Sequence, residues 1–170
     1  IFSTGLQCRR GVDMNNKQVE IIIKSLNVDQ LSEYLKESFC DPMRIIKENI
    51  HNGLKPMHFP LEKENLEEIK KTFLKYEMVI DGNLKLEENL MPVIHSVSHL
   101  SLDQRLVAKS ILRNCASGHQ KELAVAQKLI ELMGDVSCQV YDLIRQLTYK
   151  TDDRIDIYDN YLVDLIERSD

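Results

Sequence analysis

The sequence predicts an all-α protein, an array of about eight or nine short antiparallel helices, stacked as a helical repeat (solenoid-like) or packed as an irregular bundle. Three observations carry this. Apolar residues recur at three- and four-residue spacing along most of the chain. No segment sustains the two-residue alternation of β-branched side chains that a sheet needs. Four of the six glycines, Gly53, Gly82, Gly118 and Gly134, fall where a helical pattern pauses, as glycines past helix ends do.

Taken in order, residues 16–26 carry Val19, Ile22, Ile23 and Leu26 on one helical face, and Asp29 opens a second helix with Leu31, Tyr34 and Leu35. Asp41-Pro42 reads as an N-cap followed by proline at the first helical position, starting a third helix that stops at Gly53. Residues 55–60, with Pro56 and Pro60, form an extended link. A helix over 65–77 presents Leu66, Ile69 and Phe73 and closes at Asp81-Gly82. Residues 86–100 align Leu86, Leu90, Val93, Ile94, Val97 and Leu100, with Pro92 expected to kink or begin that helix. Ser101 and Gln104 make a capping box for a helix ending near Ala116. Further helices run over 121–133, ending at Gly134, then over 136–147 behind Asp135, and finally to about Glu167 behind Asp152 or Asp153. The domain reading is an N-terminal arm over residues 1–15 and a single helical domain over 16–170.

The cap positions Ser101, Gly118, Asp135 and Asp152 are each 17 residues apart, so two helices take 34 residues, the period of tetratricopeptide-type hairpins. The residue-level repeat is poor: a shift of 34 aligns Leu106 with Val140 but Lys109 with Leu143. Leu123, Val125, Ala126, Leu129, Ile130, Leu132 and Met133 cover about half of their helix, which implies packing on two sides.

The segments Leu100-Ser-Leu-Asp-Gln104, Leu143-Ile-Arg-Gln-Leu-Thr-Tyr-Lys150, Asp152-Asp-Arg-Ile-Asp-Ile-Tyr-Asp159 and Leu162-Val-Asp-Leu-Ile-Glu167 resemble organellar helical-repeat proteins of the FAST-kinase-like and RAP-domain type. In those families a helix ending in a basic–aromatic pair meets an Asp-capped turn and then another helix. The resemblance runs over residues 86–167, without the tryptophans common in such proteins. It implies an organellar RNA-linked or scaffold role and supplies no catalytic residue.

Composition narrows the function classes. Of 170 residues, 43% are apolar and 29% charged, with net charge −5, which excludes a disordered tail and a histone-like polycation. No apolar run approaches the ~20 residues of a membrane span. The first twelve residues hold Arg9 and Arg10 and no acid, and Ile-Phe-Ser-Thr resembles the junction left by presequence removal, so a mitochondrial location is expected. Cys8, Cys40, Cys115 and Cys138 lack metal-type spacing and are expected as free thiols.

For metal, the candidates are His95 and His99, at i and i+4 on one helix face, opposite the Leu90/Ile94/Val97 stripe and hence solvent-facing. Ser96 stands where a zinc-protease glutamate would be. Cys115 and His119 share the same spacing, but the helix is expected to end between them. The carboxylate pairs Glu67/Glu68, Glu87/Glu88 and Asp152/Asp153 read as helix-start charges. No phosphate loop or nucleophile motif occurs, so no enzyme and no cofactor is expected.

Residues 1–85 are charge-neutral, residues 101–150 carry seven bases against five acids, and residues 151–170 carry seven acids against two bases. Arg105, Lys109 and Arg113 form a cationic ridge, with Lys121 expected beside it on the next helix, and this ridge is the predicted partner-binding surface. The functional expectation is a non-catalytic interaction or scaffold subunit of a mitochondrial assembly, in the gene-expression (ribosome/RNA) machinery, touching other protein subunits and RNA. The alternatives are an accessory subunit of a respiratory or ATP synthase complex and a secreted helical ligand with two disulfides.

Overall fold

The computed structural model describes residues 21–54, 63–134 and 139–168. Of these, 94% are helical and none is in a strand, which agrees with the all-α expectation. The count differs. Among the described residues there are five helices, most of them long, where eight or nine short ones were expected. Helix α1 is residues 21–25. Helix α2 runs Val28–Leu35, passes through one π-helical turn, Lys36–Cys40, and continues as Asp41–Gly53. Helix α3 is Lys63–His95, and α4, after a 3-10 turn at Val97–His99, is Leu102–Met133. Helix α5 runs Gln139–Ile155, a second π-helical turn at Asp156–Tyr161, and Leu162–Glu167. The N-terminal arm, the proline link at 55–60, the Asp135 cap and residues Cys8 and Cys138 lie outside the described residues.

Each correction has a local cause. Gly82 and Gly118 lie inside α3 and α4 and do not end them. A Cβ on Gly118 would stand 1.9 Å from Asn83 Oδ1, so this glycine admits a side chain from the crossing helix. Gly82 has open space around it, and nothing in its surroundings requires glycine. Pro92 sits in the last turn of α3, which continues three residues past it. Asp41 and Asp152 are also interior to helices, so two of the four regularly spaced caps, Gly118 and Asp152, mark no boundary. Where the reading held, cap chemistry was complete. Ser101 and Gln104 form the reciprocal capping box, and Gly134, at φ 59°, closes α4. The second helix starts at Asn27, which makes its own capping box with Gln30, two residues ahead of the expected Asp29.

Pro42 lacks the N–H that an α-helix would aim at Ser38 O. In α2 the π-helical turn precedes it, and Ser38 O accepts from Lys150 Nζ of α5 at 3.1 Å. The lysine also sits 5.7 Å over the Phe39 ring.

Surface ion pairs fix the helix directions. Arg44 meets Glu88, Lys47 meets Asp81 and His51 meets Glu77, so α2 and α3 are antiparallel. Lys128 with Glu68 and Asn83 with Glu122 make α3 and α4 antiparallel. Thr151 with Glu122 and Asp159 with His119 do the same for α4 and α5, and for α5 and α2 Val140 stands against Gly53 while Lys150 reaches Ser38. The four long helices thus close an up-down-up-down bundle in which α3 and α5 are parallel diagonal partners. No described helix is long and apolar enough to cross a membrane.

The core is divided. A lower cluster contains Met43, Ile50, Ile69, Phe73, Tyr76, Leu129 and Ile144. An upper cluster contains Leu31, Leu35, Leu90, Ile94, Leu112, Leu162 and Ile166. In α3, α4 and α5 the apolar stripe is broken between the two clusters by buried polar residues.

Candidate functional site

That break is a layer of six buried polar side chains: Asn83 and Glu87 from α3, His119 and Glu122 from α4, Thr151 and Arg154 from α5. Each occupies a position that continues its helix's inward stripe: Ile80–Asn83–Glu87–Leu90, Cys115–His119–Glu122–Ala126, Leu147–Thr151–Arg154–Tyr158.

Arg154 is the centre. Its Nε donates to both Glu87 oxygens, at 3.0 and 3.2 Å, and its Nη2 donates to Glu87 Oε1. Its Nη1 reaches Glu122 Oε2 at 2.8 Å and its Nη2 reaches Glu122 Oε1 at 3.0 Å. One planar guanidinium therefore grips two carboxylates, the geometry for which arginine is suited and lysine is not. Glu122 also accepts from Asn83 Nδ2 at 2.7 Å and from the Thr151 hydroxyl at 2.9 Å. His119 bridges Glu87 to a third acid: Nε2 lies 2.7 Å from Glu87 Oε1 and Nδ1 lies 3.2 Å from Asp159 Oδ1. Carboxylates only accept, so an imidazole that meets one on each nitrogen donates from both and is the imidazolium.

The titration shifts follow. Burial pushes the Glu87 carboxyl up, but Arg154 and the His119 hydrogen bond outweigh it and hold it below its ordinary value. Burial pushes His119 down, and its bonds to Asp159 and Glu87 reverse this and raise it. Burial drives the neighbouring thiols up, Cys40 to about 11 and Cys115 to about 12, so both are neutral. Both are free, as expected, and buried.

Chemically this layer is closed. Its donors and acceptors are spent on one another, and the guanidinium occupies the point between Glu87 and Glu122 where a cation would sit. Among the described residues no group of three or more His, Cys, Asp or Glu side chains is arranged to hold a metal ion.

The residues predicted from sequence lie elsewhere. His95 and His99 do not share a helix face, because α3 ends at His95: His95 pairs with Asp29 at 2.7 Å, and His99 is exposed in the 3-10 turn that follows. An open groove of about 450 Å³ beside His95 is lined by Asp29, Glu33, Cys40, Glu88 and Met91, with Glu88 engaged by Arg44. Lys109 is half-buried and Arg113 exposed, while Arg105 is half-buried and reaches Leu100 O at 3.5 Å. Lys121 follows on the same helix, because α4 does not turn back at Gly118. It stands two turns, about 12 Å, beyond Arg113. Leu102, Leu106 and Val107 are 71%, 57% and 56% exposed, large apolar side chains left in water at the start of α4. Positions 102, 106, 109 and 113 fall on one helical face, giving a stripe that is apolar at its first half and cationic at its second.

Glu87, His119, Glu122 and Arg154 are not legible as a set in the sequence, because Gly118 reads as a break between helices and Glu87 as a helix-start charge. Their sequence signal is position: four charged or titratable residues sit on stripes continued by apolar side chains such as Leu90, Cys115, Ala126, Leu147 and Tyr158. No protein-family profile, curated protein or solved structure matches this chain.

Proposed function

We propose that the protein is a non-catalytic interaction subunit that docks on another protein through the outward stripe Leu102, Leu106, Lys109 and Arg113. The observation that carries this reading is the exposure of Leu102 and Leu106 in register with the two cations. The fitting partner is an amphipathic helix, apolar opposite the leucines and acidic opposite Lys109 and Arg113, covering about 17 Å of α4. The acid-free residues 1–12 support placement in a mitochondrial assembly, with the gene-expression machinery as the first candidate and a respiratory or ATP synthase complex as the second. Free Cys40 and Cys115 favour either over a secreted ligand held by two disulfides.

Native purification of the full chain, with Leu106→Asp and Lys109→Glu/Arg113→Glu variants alongside, tests the reading. Both variants should keep the wild-type circular dichroism and lose the co-purifying protein. Wild-type assembly by both variants would remove the stripe from consideration. An association that disappears when RNA is digested would make the cations phosphate contacts instead.

A further inference from the structure

We propose that the proton carried by His119 is a latch that holds the C-terminal segment of α5, residues 156–167, on the bundle, and that losing it releases that segment and uncovers the upper core.

The geometry is asymmetric. Glu87, on one side of the imidazolium, is fully buried and is also gripped by Arg154, so it stays in place whatever His119 does. Asp159, on the other side, is 18% exposed, and His119 is its partner across the helix interface. Asp159 belongs to the π-helical turn Asp156–Tyr161, the wide turn that joins the two α-helical parts of α5. Remove the proton and one ring nitrogen carries a lone pair. Glu87, with the shorter contact and no exit to water, keeps the remaining N–H, and the lone pair then faces Asp159 Oδ1, acceptor against acceptor. The carboxylate nearest solvent is the one that leaves.

What leaves with it is defined by packing. Tyr158 lies edge-on to the His119 ring at 5.9 Å, and its buried hydroxyl has no hydrogen-bond partner among the described residues. Opening lets that hydroxyl reach water, which offsets part of the cost of the movement. Ile157, Leu162 and Ile166 pack into the upper cluster against the first half of α2, the end of α3 and the start of α4. A released segment therefore exposes an apolar surface beside the stripe face of α4.

Burial raises Asp153, three residues ahead of the π-helical turn, to about 6, so its charge change falls at the acid end of the range, and the groups that face His119 itself come from four helices. From α5, Arg154 stays charged, Asp159 is the partner itself, and burial pushes the Tyr158 hydroxyl well above its ordinary value. From α4 itself, Glu122 is held by Arg154, Asn83 and Thr151, and the Cys115 thiol is neutral. From α3 there is Glu87, already ionised. From α2 the Cys40 thiol, neutral, and the Met43 thioether approach the layer.

The test is amide hydrogen exchange on the full chain, corrected for the intrinsic rate, from below 6.5, the ordinary imidazole value, to about pH 9, with His119 followed by imidazole NMR. Protection over residues 156–167 should fall as His119 loses its proton, by up to tenfold per pH unit for a single linked proton, while residues 141–147 of the same helix keep theirs. Asp159→Asn should fold and lose the response, because an amide accepts from one imidazole form and donates to the other. Flat protection across the His119 titration overturns the latch. So does equal loss along all of α5, or an unchanged response in Asp159→Asn.

Discussion

Gly82 and Gly118 are both mid-helix glycines, yet the structure gives them opposite meanings. Gly82→Ala adds a methyl to open space and removes the entropic penalty of glycine in a helix, so it should stabilise by about 0.5–1 kcal/mol. Gly118→Ala drives a Cβ into Asn83, whose amide donates to Glu122, and should cost about 1–3 kcal/mol. Urea unfolding of the two variants distinguishes them, and equal effects would deny the close crossing of α3 and α4.

Arg154 permits a sharper experiment, because its removal should invert a pH dependence. In the wild type, Glu87 is depressed below its ordinary 4.5, so its contribution is present above that value and is lost as pH falls through the folded-state value. His119 is raised above its ordinary 6.5, so its contribution is complete below that value and is lost as pH rises through the folded-state value. The layer is therefore most favourable between the two. Arg154→Met leaves two buried carboxylates without their cation, which should cost about 3–5 kcal/mol near neutrality. Burial, which pushes Glu87 up, then loses its main opponent, and the variant should gain stability on acidification where the wild type loses it. Denaturant midpoints measured at several pH values read this directly.

At the scale of elements, helix identity was open to the sequence and helix length was not. A capping box at Ser101 and a left-handed glycine at Gly134 are local devices, and both were readable. Whether a glycine ends a helix or makes room for a neighbour depends on what crosses it, which only packing decides. The π-helical turns did leave a trace. Leu31, Leu35, Phe39 and Met43 in α2, and Arg154, Tyr158, Leu162 and Ile166 in α5, are all buried at successive spacings of four. In an α-helix each such step swings about 40° around the axis, so three in a row would carry the stripe off the core. A wide turn absorbs the drift. The buried face itself was read correctly around Leu129: Leu129→Asp should cost several kcal/mol. Lys128→Asp, which exchanges a long surface contact with Glu68 for mild repulsion, should change stability by less than about 0.5 kcal/mol. Similar thermal shifts for the two would misplace the core face of α4.

At the scale of the whole molecule, two apolar clusters stand end to end with a charged floor between them. A uniformly apolar bundle would let its helices slide or exchange neighbours at little cost. Here a shift of any one of α3, α4 or α5 by a turn would strand Glu87, His119, Glu122 or Arg154 against hydrocarbon. The layer thus sets which helices are neighbours and at what height, whatever its net energy.

The diagonal contact between Arg154 and Glu87 also has a bearing on how the chain is made. The two acids lie at positions 87 and 122 and their cation at position 154, so synthesis delivers the negative charges first. A nascent chain that has emerged only through α4 holds two carboxylates at the heart of any bundle it tries to form, with only His119 to answer them. Such a chain should stay open, available to chaperones and proteases, until α5 arrives. Ribosome-stalled chains should therefore pass from protease-sensitive to protease-resistant in a single step, between exposure of residue 139 and residue 166. Earlier compaction would mean the carboxylates wait in their neutral form.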